Sequence, residues 1–326
     1  MSDRLRIDAH NHVIPEPVVD LLRQDPAYRT TIDGDVVTGG NHVTFRLFPA
    51  FRDPAAKLGE LEANDLEGAV LSAAPPTFFY DVPADAGERI ARAANGGMAE
   101  FCTSRPERLR WMAHLPMGAP DRAVPVLEDA AAAGAVGVQV GTSIAGRRLD
   151  EPEFEPFWAA AERLGLPVML HPAYNAGHRG LDDFYLQNVI GNLLETTVAI
   201  ERLLCCGVLD RHPGVRVLLV HAGGYFPYQA GRLRHAATVR PELAGFTRDP
   251  WSYRGQVLVD TITHDPAALA YLVSRMGAEN VVLGTDLPFD MATPAPVAAL
   301  SEAVDERDAR LIAEATPARL FRFDGS

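Results

Sequence analysis

Two histidines spaced two positions apart are the first residues of this sequence that could carry out chemistry. His10 ends the apolar segment LRIDAH, and His12 follows it. Because a β-strand has a period of two, both imidazoles point to the same face. Imidazole nitrogens bind zinc, manganese and iron. The pair therefore indicates a metal site, although two buried histidines that hydrogen-bond to the backbone would give the same pattern.

Three further polar residues each end an apolar segment. His171 ends LPVMLH, His221 ends VRVLLVH and Asp286 ends NVVLGTD. For each residue alone, a buried histidine or a capping aspartate is the simpler interpretation. Together with the first pair they indicate a shared site, because barrel enzymes place their reactive groups at the carboxyl ends of parallel strands.

The segments that carry these residues belong to a regular alternation of strands and helices. Amphipathic patterns predict crossover helices at 85–102, 123–133, 155–164, 196–209 and 266–276. No GxGxxG motif accompanies them, which favours an α/β fold of the closed (β/α)₈ TIM-barrel type over an open nucleotide-binding sheet. Eight apolar segments are predicted to be buried parallel strands: LRIDAH, GAVLSA, LRWMAHLP, GAVGVQVG, LPVMLHP, VRVLLVHAGG, GQVLVDTITH and NVVLGTD.

Residues 14–53 interrupt this alternation. They contain several prolines, a polar DGD turn and the strand-like stretch TFRLF. This composition predicts a small insertion after the first strand that covers the barrel mouth. Because the chain has no internal repeat, low-complexity segment or linker, residues 1–326 are predicted to form a single domain.

Composition and charge exclude several classes of partner. The formal net charge is -13 and the pI is near 5.2, which opposes binding to nucleic acids or anionic membrane surfaces. No apolar stretch is long enough to span a membrane. The three cysteines include the adjacent pair Cys205 and Cys206 and do not form a disulfide framework. The first residues lack the apolar core of a signal peptide, so we expect a cytoplasmic protein.

Several motifs in a fixed order carry a family resemblance. They are IDAHNHVIPEP, FRLFPAFRDPAAKLGELEANDLEGAVLSAAPPTFFYD, HPAYN, the stretch from HAGG to GR, and VLGTDLPF. In this order the chain resembles the amidohydrolase superfamily, in the branch of the 2-amino-3-carboxymuconate-6-semialdehyde decarboxylases. The resemblance extends over nearly the whole chain.

The resemblance implies a metal site and an acid/base residue. One divalent ion per chain is expected, zinc by default and manganese as the alternative. His221 matches a histidine that lies near the metal-bound water and acts as general acid/base, with Asp286 as a further catalytic group. In the alternative interpretation, His221 is an additional ligand of a two-metal site. Such a site would need a lysine at the end of a central strand to bridge the two metals, and none is present, since Lys57 lies in the region of the insertion. The implied ligands are His10, His12, His171 and Asp286.

The resemblance also implies a substrate site. Arg46 matches an arginine that binds a substrate carboxylate, which suits the two-pronged guanidinium group. Arg232 matches a second such arginine, which reaches the site from a neighbouring subunit and so implies a homodimer. An exposed surface charge is the alternative interpretation of both arginines. Three more candidate substrate contacts follow strand ends: Tyr174, Tyr185 and His264.

Departures from the family pattern concern the substrate pocket. The chain has GTDLPF where the family has GSDYPF, HPAYN in place of an HPWD-like sequence, and Tyr185 where the resembled enzyme has a tryptophan. We therefore expect the metal site to be retained and the pocket to differ.

Non-oxidative decarboxylation of a small unsaturated or aromatic carboxylate is the function that these features favour. A metal that holds the carboxylate and a neighbouring oxygen can orient the substrate and stabilise developing charge. Hydrolysis of an amide, lactone or carbon–carbon bond by a metal-activated water is the main alternative, and a ring-forming condensation is a more distant one. A protein that binds a metal or ligand without catalysis is a hypothesis of a different kind, and the additional base His221 disfavours it.

Overall fold

Eight parallel strands form the centre of the molecule. The computed structural model describes residues 5–39, 44–173 and 180–323. Ala9 N donates to Leu283 O at 2.8 Å, and Asn11 pairs with Leu287, so the first strand meets the last and the sheet closes into the predicted barrel. In spatial order the strands are β1 (Ile7–Val13), β5 (Gly68–Ala73), β6 (Leu109–His114), β7 (Gly137–Gly141), β10 (Val168–His171), β11 (Val217–Leu219), β12 (Val257–Asp260) and β13 (Val281–Val282).

The barrel has two apolar cores because successive strand residues point to opposite faces. A smaller core fills the barrel and includes Val70, Met112, Met169 and Leu218. A larger one lies between the strands and the surrounding helices. Towards the carboxyl ends of the strands, the buried residues become polar, and this polar layer is the floor of the candidate site.

Twelve α-helices lie in the described part of the chain. Four of the five predicted helices correspond to one helix each, whereas the one predicted at 196–209 is two helices, Leu193–Cys205 and Val208–Arg211, separated by Gly207 with a positive φ of 68°. Aspartates cap several helices, as at α9, where Asp265 accepts from Ala268 N at 2.8 Å. In the residues described, no helix could cross a membrane. The helices are α1 (Glu16–Gln24), α2 (Pro54–Ala63), α3 (Ala84–Thr103), α4 (Pro120–Ala132), α5 (Glu155–Leu164), α6 (Leu193–Cys205), α7 (Val208–Arg211), α8 (Phe226–Val239), α9 (Pro266–Met276), α10 (Pro296–Ala303), α11 (Glu306–Arg310) and α12 (Thr316–Leu320).

A small antiparallel sheet follows α1, within the segment expected to be an insertion. Its strands are β2 (Thr31–Asp33), β3 (Val36–Thr38) and β4 (Thr44–Arg46). A two-residue turn joins the first two, and Gly34 adopts the positive φ of 60° that this turn requires. Residues of β3 and β4 line the cavity at the barrel mouth. The remaining short strands, β8 (Ser143–Ile144) and β9 (Arg147–Arg148), form a separate hairpin.

Candidate active site

Four imidazoles and one carboxylate meet at the carboxyl end of the barrel. His10 and His12 extend from β1, and His171 ends β10. The Nε2 atoms of His10 and His12 are 3.0 Å apart, and they lie 3.4 and 3.0 Å from Asp286 Oδ1. His171 Nε2 lies 4.0 Å from the same oxygen, and His221 Nε2 lies 3.5 Å from Asp286 Oδ2. The four residues implied as ligands are therefore neighbours, and His221 joins them.

The three strand histidines are each held by their Nδ1 atom. His10 Nδ1 donates to Asp260 Oδ2 at 2.8 Å, and His171 Nδ1 donates to the Pro172 carbonyl at 2.7 Å. Ser72 Oγ donates to a backbone carbonyl and lies 3.1 Å from His12 Nδ1, from which it accepts. With Nδ1 protonated, a neutral imidazole carries its lone pair on Nε2. Each ring therefore directs a lone pair into the cluster.

This arrangement fits a bound cation. Two lone pairs face each other 3.0 Å apart at His10 and His12, beside a carboxylate that also only accepts. His171 Nε2 and Asp286 Oδ1 are buried without a hydrogen-bond partner among the described residues. These acceptor atoms repel one another unless a positive charge lies between them. Imidazoles together with one carboxylate are suitable ligands for Zn²⁺ or Mn²⁺. Over the described ranges the only potential metal-binding group consists of His10, His171, His221 and Asp286, with ligand atoms within 4.8 Å of one another; it contains His221 in place of the expected ligand His12.

The pKa values of His12, His171 and Asp286 favour the forms that bind metal. In His10, by contrast, the lowering effect of burial is outweighed by the hydrogen bond with Asp260 and the charge of Asp286, which raise the pKa. Burial lowers the pKa of His12 to about 4 and that of His171 to about 3, so both are neutral at neutral pH. Burial alone would raise the pKa of Asp286, but its interactions with His12, His171 and His221 outweigh burial and hold that pKa well below its usual range. Neutral imidazoles and an ionised carboxylate are the protonation states that a metal ion requires.

His221 differs from the other three histidines. Its Nδ1 is buried and has no hydrogen-bond partner in the described chain. Its backbone has a φ of 53°, a conformation that non-glycine residues rarely adopt. Asp260 accepts from the backbone N–H groups of His221 and Ala222 at 2.9 and 2.7 Å, which holds this turn in place. The backbone turn therefore places the ring, and its side-chain contact with Asp286 is made through Nε2.

Asp260 is a site residue that the sequence analysis did not identify. It ends β12, is fully buried, and contacts both His10 and the turn at His221. Its position at the end of the apolar segment VLVD is the same signal that singled out Asp286. In the same segment His264, four residues later, was predicted instead.

A cavity of about 1060 Å³ opens above the cluster. Its floor includes His171, His221 and Asp286, and its wall includes Arg46 from β4. Arg46 Nε lies 3.3 Å from Asp35 Oδ2, and its side chain is 65% exposed. The other wall residues are mainly aromatic, apolar or amide-bearing and include Phe45, Phe48, Pro75, Pro76, Tyr185, Gln187, Asn188, Asn192, Phe289 and Met291.

The other predicted substrate contacts are distributed differently. Tyr185 lines the cavity. His264 is exposed and lies outside the cavity lining. Arg232 is exposed on α8 and does not line the cavity of its own chain. Tyr174 lies outside the described residues.

Comparisons with known proteins agree with this geometry. The amidohydrolase family model matches residues 7–323. The 2-amino-3-carboxymuconate-6-semialdehyde decarboxylase of Dictyostelium discoideum is 30% identical over 308 residues, which cover 90% of this chain and 84% of that protein. The gamma-resorcylate decarboxylase of Rhodococcus jostii is 28% identical, over 82% of this chain and 87% of that enzyme.

A solved structure extends the similarity to three dimensions. The 5-carboxyvanillate decarboxylase of Sphingomonas paucimobilis superposes with a TM-score of 0.84 and 26% identity, covering 98% of this chain and 99% of that one. The family model, the curated relatives and this structure each match nearly the full length of the barrel. With its strand-end histidines and aspartate in one cluster, the chain belongs to the amidohydrolase family.

Proposed function

We propose that this protein is a metal-dependent decarboxylase that releases CO₂ from an aromatic or conjugated carboxylate without oxidation. One observation carries the proposal: the imidazole–carboxylate cluster forms the floor of a cavity whose wall includes a guanidinium group, that of Arg46. A metal and an arginine facing one cavity suit a carboxylate ligand. The similar proteins named above, each a decarboxylase, support the same reaction.

We propose His10, His12, His171 and Asp286 as the ligands of one ion per chain, zinc by default and manganese as the alternative. The anchored Nδ1 atoms of the three histidines support this set, because hydrogen bonds at Nδ1 are typical of metal-bound histidines. His221 has no such contact at Nδ1 within the described chain, which supports its role as an acid/base group. When bound, the ion acts as a Lewis acid that holds and polarises the substrate oxygens.

The residues of the chain divide the reaction between them. Arg46 binds and orients the carboxylate by charge and by paired hydrogen bonds. His221, after taking up a proton from solvent, delivers it to the carbon that bears the carboxylate. The bond from that carbon to the carboxylate then breaks, CO₂ leaves, and the electron pair of the broken bond remains in the conjugated system, which regains its original bonding. The aromatic wall, with Phe45 and Phe289, excludes water from the ring.

We further propose that the working form is a cytoplasmic homodimer. Helix α8 carries Arg232 and the 76% exposed Tyr228, whose ring lies 6.3 Å from that of Tyr271 on α9. Phe184 is 90% exposed. Exposed aromatic residues next to an arginine are typical of protein interfaces. All three cysteines are unpaired, which suits a reducing compartment.

Product analysis tests the proposed reaction. Purified protein is analysed for metal and then incubated with benzoate-type and muconate-type carboxylates in ¹⁸O-labelled water. We expect CO₂ release that depends on the metal, with no ¹⁸O in the organic product. A product that carries ¹⁸O from water, without CO₂, would identify a hydrolase instead.

Two substitutions test the division between ligand and acid/base group. We expect His171→Ala to lose both metal and activity, because it removes a ligand. We expect His221→Ala to keep about one metal per chain and to lose activity by about 10² to 10⁴-fold, the usual effect of an acid/base group. Elemental analysis and CO₂ release measure both. Loss of metal from the His221 variant would make that residue a ligand.

A further inference from the structure

A short π-helix precedes α6 and forms part of the cavity wall. It comprises Gln187–Asn192. In a π-helix the repeating contact joins residues five apart. Gln187 and Asn192 are five apart, and both line the cavity that contains the metal-site cluster. The π-turn therefore directs two side-chain amides to the same wall, and single π-turns of this kind are frequent at functional sites.

Both amides have polar atoms that remain unpaired within the described residues. Asn192 is only 3% exposed, and its Oδ1 has no hydrogen-bond partner among the described residues. Gln187 Nε2 is likewise buried and without a partner in that part of the chain. A Cβ at position 191 would approach this nitrogen to 2.7 Å, so Gly191 leaves the space that the glutamine amide occupies. Buried polar groups are normally paired, so two unpaired ones at a cavity wall indicate contacts to a ligand.

The chemistry of the two atoms defines the ligand group. Asn192 Oδ1 accepts a hydrogen bond and Gln187 Nε2 donates one, so the pair offers both capacities at the wall. A hydroxyl group both donates and accepts. The nearby apolar wall, with Phe45 and Phe289, suits a flat ring.

We propose that Gln187 and Asn192 determine substrate specificity by binding a hydroxyl substituent on the ring. This inference rests on the proposed function, since it concerns the same cavity. The preferred substrate is then a hydroxylated aromatic carboxylate, with its carboxylate bound at the metal and Arg46 and its hydroxyl bound at the π-helix. The two amides do not take part in the bond-breaking step; they discriminate between substrates.

Ligand binding tests the proposal without turnover. Calorimetry on the metal-loaded protein compares benzoate with its 2-, 3- and 4-hydroxy derivatives. We expect the best hydroxybenzoate to bind about tenfold more tightly than benzoate, the effect of well-made neutral hydrogen bonds in a buried site. Asn192→Leu has similar volume but cannot accept, and we expect it to remove this preference while it leaves benzoate binding within about twofold.

A second substitution guards against misfolding of the first. Gln187→Glu keeps the size of the side chain but replaces the Nε2 donor by an acceptor. We expect it to weaken hydroxybenzoate binding and to shift the preference towards the matching aminobenzoate, whose amino group donates. Gln24→Glu makes the same change at an exposed residue at the end of α1 and should leave the preference unchanged.

The outcomes separate this inference from the proposed function. Equal binding of benzoate and all hydroxybenzoates by the unmodified protein, or an unchanged preference in both pocket variants, would overturn the inference. A preference that both variants abolish would support it, even if no carboxylate releases CO₂. Absence of CO₂ from every carboxylate would overturn only the proposed reaction.

Discussion

At the scale of single residues, Asp260 connects the two functional parts of the site. One of its oxygens accepts from His10 Nδ1 and from the His221 backbone, and the other accepts from Ala222 N and Ile262 N. Burial raises the pKa of Asp260, but the hydrogen bond with His10 outweighs it, so the pKa is lowered and the group is ionised. The charge orients the His10 ring, and the remaining acceptor capacity fixes the turn that carries His221.

Asp260→Asn is expected to weaken metal binding by about 10 to 100-fold, the usual cost of altering a group that orients a ligand. The amide keeps the shape but has one acceptor oxygen where the carboxylate has two. Chelator competition measures the affinity. Asp265→Asn is the matched control, because asparagine can still cap α9. Equal metal affinity in the two variants would mean that the charge of Asp260 does not support His10 as a metal ligand.

Arg46→Ala is expected to raise KM for a carboxylate substrate by about tenfold, with a smaller change in kcat. The reason is that a group that binds the carboxylate both before and during the reaction stabilises the bound substrate and the transition state equally. Its exposure keeps the effect moderate. Steady-state kinetics measure both constants. Arg89→Ala removes an exposed arginine that pairs with Asp25 outside the cavity and should leave KM unchanged. An unchanged KM in the Arg46 variant would place that residue outside the substrate site.

At the scale of elements, the sequence predicted the repeating part of the fold. All eight strands and four of the five helices lie where period and apolar content indicated them, for example the helix predicted at 155–164, which is α5. The helix predicted at 196–209 is divided into α6 and α7, because Gly207 between them has a positive φ of 68°. The barrel and the family are confirmed. These features are predictable because each strand and helix has its own pattern of buried residues. The assignment of metal ligands and substrate contacts stays a prediction.

Irregular elements were harder to predict. The π-helix at Gln187–Asn192 has no distinct sequence pattern, because it differs from an α-helix only in that its hydrogen bonds join residues five apart instead of four. The backbones of His221, His264 and Asp286 have φ values of 53°, 56° and 69°, which tertiary contacts impose. Such turns position the side chains that follow a strand; Asp286 lines the cavity and His264 does not.

Two adjacent glycines in α3 give a test of helix packing. Nothing lies within 4 Å of a Cβ built at Gly96, whereas a Cβ at Gly97 would come within 2.4 Å of Pro15 Cβ, just before α1. Alanine favours a helix over glycine by about 0.5–1 kcal/mol at either position. We therefore expect Gly96→Ala to stabilise the protein by that amount. Gly97→Ala should destabilise it by about 1–3 kcal/mol, because the proline must move.

Urea unfolding measures the stability of both alanine variants. A change in the midpoint urea concentration, at an unchanged slope of free energy against urea, gives the change in the free energy of unfolding. Since the two sites are neighbours in one helix, any difference between them reports contact with Pro15 rather than helix propensity. Equal stabilisation by both substitutions would show that α1 does not pack this closely on α3.

At the scale of the whole molecule, the charge distribution bears on how the cavity binds an anion. The chain has a net charge of -13, so its general field repels a carboxylate. Binding must depend on the metal and on a few local cations. Arg46 is the arginine that lines the cavity within the described residues. A second arginine from a partner subunit would strengthen the local positive charge, and Arg232 is exposed on α8 beside the aromatic surface at Tyr228.

Heterodimers with two kinds of chain test whether Arg232 acts across the interface. Chains are co-expressed with different tags, and only mixed dimers are purified. In the first dimer, one chain carries His171→Ala and the other Arg232→Ala. If Arg232 reaches the partner's site, one of the two sites combines an intact His171 with an intact Arg232, and about half of the wild-type CO₂ release is expected. If Arg232 acts within its own chain, neither site is complete and activity stays near zero.

The matched dimer places both substitutions in one chain and pairs it with an unmodified chain. If Arg232 acts across the interface, this dimer has low activity, because the only site with an intact His171 faces the substituted Arg232 of its partner. Low activity here, together with about half activity in the first dimer, identifies action across the interface. The reverse result assigns Arg232 to its own chain. Failure of the two tagged chains to co-purify would contradict the homodimer itself, and sedimentation of the unmodified protein as a monomer would agree with that outcome.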